Sequence, residues 1–132
     1  MRKYQLELDE EQAKIIQRAL DLYMRIGLGQ IEYPVCDAIT RARFDVSIDQ
    51  FCAARDELAV VGEKLTGYAS NASRGIGSPE LPNEFKRACD IHDVIRHRIA
   101  WDRSPEGGMG VSFYDPLHWG EGDLPKIKKV ED

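Results

Sequence analysis

The sequence predicts an α+β fold, three main helices packed on a small antiparallel sheet in a single domain. Three observations predict it. The tetrads D-E-E-Q and S-I-D-Q each have the form of a helix-capping box and open a run of apolar residues at three- and four-residue spacing; a third such run follows Asn83. Strict alternation marks Tyr4–Leu8 as a half-buried strand, and the apolar run Val111–Tyr114 marks a second that could pair with it. There is no βαβ rhythm and no internal repeat.

Tyr4, Leu6 and Leu8 alternate with polar Lys3, Gln5 and Glu7. From Asp9 the period changes. Asp9 can accept from the backbone N–H near Gln12, so a helix starts at about Glu10, with Ala13, Ile16, Ala19, Leu20, Tyr23 and Ile26 on one stripe. Gly27 and Gly29 in RIGLGQ end or bend it, since each costs a helix interior about 1 kcal/mol. Through Ile31–Phe44 the pattern is weaker: Pro34 interrupts it, and Val35, Ala38, Ile39 and Ala42 indicate a short helix.

Ser47 caps the second long helix, whose Ile48, Phe51, Cys52, Leu58, Val61 and Leu65 recur at helical spacing up to a stop near Gly67. Ser70–Pro82, SNASRGIGSPELP, is a loop by composition. Asn83 caps the third long helix, with Phe85, Ala88, His92, Ile95 and Ile99 on its stripe and an end near Trp101 or Asp102. PEGGMG turns the chain into the strand Val111–Tyr114. The domain is expected to occupy residues 1–114, followed by an extended or mobile tail over 115–132.

At 132 residues, 42% hydrophobic and 31% charged, the chain suits one core without a linker. An acidic start and the lack of a long apolar run speak for a soluble, cytoplasmic protein with no membrane partner. Cys36, Cys52 and Cys89 lie far apart among apolar neighbours, as reduced core thiols do. A net charge of −5 argues against duplex nucleic acid, which needs a basic surface. Positive charge exceeds negative only over residues 71–103, where six Lys/Arg face five Asp/Glu.

That island carries the candidate site. Arg96 and Arg103 are two helical turns apart and can point the same way. If the amides of Gly107 and Gly108 face that side, two fork-shaped donors and a backbone nest converge on a phosphate or carboxylate. The competing reading is surface ion pairing with Asp90, Asp93 and Asp102. Arg25 and Gln30, beside the RIGLGQ glycines, are further ligand-binding candidates. His92 and His97 are turned about 140° from each other on a helix and cannot easily share a metal; Asp93 is expected to pair with His97 instead. There is no nucleophile elbow and no P-loop. His92-Asp93 spells the paired ligand of metal-dependent phosphohydrolases, but that site also needs separate histidine and aspartate ligands from other helices, so no metal and no cofactor is expected.

With RIGLGQ and VIRHRIAWDRSPEGGMG in view, and YQLELDEEQA and GDLPKI at the two ends, the chain resembles small proteins encoded by tailed phages and prophages. The resemblance implies a phage or prophage origin and bacterial cytoplasm, and it carries no activity to transfer. By analogy with small phage accessory proteins, the first expectation is a non-enzymatic, homo-oligomeric protein that holds a small anionic ligand such as a nucleotide derivative, sequestering an immune signal. The second is an interaction protein that inhibits a host bacterial protein through an exposed helix or the Ser70–Pro82 loop. The third is a metal-dependent phosphohydrolase using Asp90, His92, Asp93 and His97. Self-association is expected at the open edge of the strand Val111–Tyr114.

Overall fold

A computed structural model describes residues 1–131. The described residues form four helices, α1 (Glu10–Gly27), α2 (Glu32–Ala42), α3 (Ile48–Thr66) and α4 (Asn83–Arg103), followed by a 3-10 turn over Val111–Phe113. Among them there is no strand and no sheet, so the α+β expectation is overturned.

Both capping boxes form. Asp9 accepts from the Gln12 amide while the Gln12 side chain accepts from the Asp9 amide, and Ser47 and Gln50 repeat the exchange. Pro34 sits in the first turn of α2, where its missing N–H has no intrahelical partner to lose, so that helix forms in spite of it. α3 stops at Gly67 in the left-handed conformation.

Each expected strand fails for its own reason. Residues 1–8 form no regular secondary structure and are exposed along their whole length, with no neighbouring strand among the described residues to take their backbone groups. At Val111–Phe113 the chain curls, because side chains of α4 capture its carbonyls: His97 Nδ1 lies 3.1 Å from the Ser112 oxygen, and Trp101 Nε1 donates to the Phe113 oxygen at 3.1 Å. A ladder would need those same oxygens. Self-association through a sheet edge at Val111–Tyr114 falls with the sheet.

The core lies between α1 and α4, which run antiparallel. Tyr23, late in α1, donates its hydroxyl to Glu84 at the start of α4, and its ring stands 4.9 Å from that of Phe85. At the other end Arg103 meets Glu10. Ala13, Ala88, Cys89 and Ile95 are buried there, and Leu28 and Leu81 are buried where the 70–82 loop crosses the end of α1, with the Arg74 amide donating to the Leu28 carbonyl at 2.8 Å. α2 and α3 form a hairpin set apart. Of the other helices, α3 packs on α2 alone.

Candidate functional site

Arg96 and Arg103 are held by different carboxylates. Arg103 makes a two-pronged contact with Glu10, Nε to Oε1 at 2.9 Å and one terminal nitrogen to Oε2 at 3.1 Å. The guanidinium holds the Glu10 carboxyl below its usual range, and Glu10 in return raises the arginine. Arg96 reaches Asp93 at 3.4 Å, and its Nε is buried without a hydrogen-bond partner. Asp93 also accepts from His92 at 2.8 Å, so the expected Asp93–His97 pair is replaced by His92–Asp93, and His97 turns to Ser112.

The Gly107–Gly108 turn is shaped by aromatic rings. A Cβ on Gly107, whose φ is +82°, would come within 3.0 Å of the Trp101 ring; one on Gly108 would come within 2.8 Å of Phe113. Those two rings meet edge to face at 5.5 Å. The Gly107 amide already donates to the Ser104 carbonyl at 2.8 Å. Glycine is thus needed at both positions for close ring packing, and at Gly107 for the backbone as well.

Arg25 and Gln30, by contrast, come together. Arg25 Nε faces both oxygens of Asp21 at 3.1 and 3.2 Å, its guanidinium lies 4.6 Å from the centre of the Tyr33 ring, and a terminal nitrogen donates to Gln30 Oε1 at 3.1 Å. That last contact fixes the Gln30 amide with its NH₂ toward the Ser73 hydroxyl, 3.5 Å away. Gly29 makes the turn possible at φ +97°, with the Tyr68 ring against it at 3.4 Å from where a Cβ would stand.

Gln30 and Ser73, in contact with each other, line a cleft of about 190 Å³ between the α1–α2 turn and residues 68–73. Glu32, Tyr33, Ser70 and Asn71 also line it, and its floor is Leu58, Ala59 and Gly62 of α3. The start of α2 lies on this cleft without a side-chain cap, since the capping position is Ile31. Hydroxyls, amides and one carboxylate at the mouth, with an apolar floor, suit hydrogen bonding to a small polar molecule.

A second constellation was hidden in the sequence. Asp90 is buried at 3% exposure on α4, and its two oxygens accept the backbone N–H groups of Trp119 at 2.8 Å and Gly120 at 2.9 Å. Asn83 is the first residue of α4 rather than its cap, and its side chain accepts from the Glu121 amide at 2.7 Å. Gly120 lies so close to α4 that a Cβ there would stand 2.8 Å from Arg87 Cγ. The segment HWGEG is therefore clasped to the first half of α4. The tetrad W-G-E-G was its signal, a tryptophan among glycines in an otherwise charged tail.

Beside Asp90, burial pushes the Cys89 thiol up to about 12, with the Asp93 and Asp90 carboxylates adding to the effect. Cys36 is raised too, mainly by burial. All three cysteines are free. Among the described residues, no group of three or more His, Cys, Asp or Glu side chains is gathered to hold a metal ion, and no helix is long and apolar enough to cross a membrane. In comparison with known proteins, no family model, no curated protein and no solved structure matches this chain.

Proposed function

We propose that the chain is a phage- or prophage-encoded accessory protein of the bacterial cytoplasm that binds a small anionic ligand, a nucleotide derivative, without transforming it. The observation that carries the reading is the cleft at Gln30. Of the residues singled out for ligand binding, Gln30 lines it, and Arg25, which does not line it, holds the Gln30 side chain by a hydrogen bond. The Ser73 hydroxyl and the Gln30 N–H not directed at it offer donors at the start of α2. Glu32 suits the hydroxyls of a ribose. A cleft of about 190 Å³ is smaller than the usual drug-sized pocket, so it takes a phosphorylated sugar unit and leaves the remainder of a larger nucleotide outside.

A panel of cyclic nucleotides and ADP-ribose compounds tests this. At a hundredfold excess over Kd, binding adds about 2.7 kcal/mol of stability, an easily read rise in Tm. Heat release should return the compound intact, and Gln30→Ala should abolish the rise. No shift with any member of the panel overturns the reading.

A second reading, inhibition of a host protein, is favoured by the N-terminal arm. Tyr4 is 88% exposed and Leu6 72%, on backbone with no strand partner, an arrangement open to addition onto another protein's sheet. A stoichiometric partner retained by the full chain and lost with Tyr4→Ser and Leu6→Ser would favour it over the first.

A further inference from the structure

We infer that α3 is an interface helix, and that its occupant is α3 of a second copy of this chain. Phe51, Ala54, Leu58, Val61 and Leu65 follow one another at spacings of three, four, three and four, the register of a two-stranded helical seam. Sequence periodicity alone would assign most of this stripe to the core. In the structure three of the five are exposed, Leu65 at 72%, Val61 at 44% and Ala54, while Phe51 is half-buried, as is Leu58, which also lines the Gln30 cleft. α2 takes a different side of α3, where a Cβ on Gly62 would stand 3.3 Å from Ile31.

The surface area argues for a second copy. The chain exposes 9839 Å², whereas a compact monomer of 15.0 kDa exposes about 7,000 Å². The residues without regular structure at the two ends account for part of that surplus of roughly 2,800 Å², yet a stable dimer needs only about 800 Å² from each partner. Among the described residues no large side chain is fully buried within the single chain. The seam is also self-complementary in charge: its five residues carry none, and Arg55 on one border and Glu57 and Lys64 on the other put both signs at the rim.

Sedimentation equilibrium of the full chain across the micromolar range tests the inference. Wild type should sediment as a dimer, and the double variant Val61→Lys, Leu65→Lys as a monomer with unchanged helical circular dichroism. Ala54→Leu should tighten association about tenfold by enlarging the apolar seam, and it decides the matter should the double variant unfold. A wild-type monomer throughout, a folded double variant that still pairs, or an Ala54→Leu chain with unaltered association each overturns the inference.

Discussion

Arg103, the last residue of α4, grips Glu10, the first residue of α1, through two parallel hydrogen bonds. The contact joins residues 93 positions apart and bridges the ends of the two helices. Both side chains are about half exposed, so water and salt screen the pair. Arg103→Ala should therefore cause a small loss of Tm, smaller than that of any substitution below. Glu10 has its folded value lowered, so its contribution is present above its ordinary 4.5 and is lost as pH falls through the lowered value. The Tm difference between wild type and Arg103→Ala should be full at neutral pH, shrink with added salt and vanish on acidification. A difference that persists in acid or in high salt would contradict this account.

Asp90→Ala should cost about 2–4 kcal/mol, because two backbone donors lose a buried charged acceptor together. Hydrogen exchange at Trp119 and Gly120 should accelerate much more than exchange in α1. Asp90→Asn should fall between, since its amide keeps one acceptor oxygen only. Equal protection of residues 118–122 in wild type and Asp90→Ala would refute the clasp.

Gly27→Ala should destabilise by about 1–3 kcal/mol through overpacking, since the new Cβ would stand 2.3 Å from the Phe85 ring. Pairing it with Phe85→Leu should recover part of the loss. Chemical denaturation of the two single variants and the double variant reads the coupling directly.

Cys89 should resist alkylation in the folded chain at pH 8 and react freely in urea. Its thiol is neutral in the folded chain up to about 12, against an ordinary value of 9.0. The stability gained by burying the neutral thiol is complete below 9.0 and is lost as pH rises toward about 12. Cys89→Ala should accordingly flatten the fall in stability above pH 9. Fast labelling of native Cys89 at pH 8 would count against the buried position.

What the sequence made legible was local. Both capping boxes, the glycine stop at Gly67 and the long helices follow from interactions within a few residues, and these form as read. The short helix after Ile31 was legible in spite of Pro34. The strands were misread because alternation in Tyr4–Leu8 and an apolar run at Val111–Tyr114 say nothing about whether a partner strand exists. The ion pairs divided by range. Arg96–Asp93 was visible at helical spacing, whereas Arg103–Glu10 depends on how α1 lies on α4. Asp90 was invisible as an acceptor for the same reason, its donors lying 29 and 30 residues away. The cleft at Gln30 needed the 68–73 loop to fold back over the α1–α2 turn, which no periodicity encodes.

The pairing of α1 with α4 has a kinetic consequence. Everything between Gly27 and Asn83, including α2 and α3, lies inside the loop that this pairing must close, and closure grows costlier with the logarithm of loop length. The α2–α3 hairpin is local and can form first, shortening the effective loop before α1 and α4 meet. Weakening α3 at an exposed site outside the seam, as in Ala53→Gly, should then slow refolding in stopped-flow experiments. Asp90→Ala should leave the refolding limb of the chevron nearly unmoved and speed unfolding, because the clasp at Trp119 and Gly120 closes only on a finished α4.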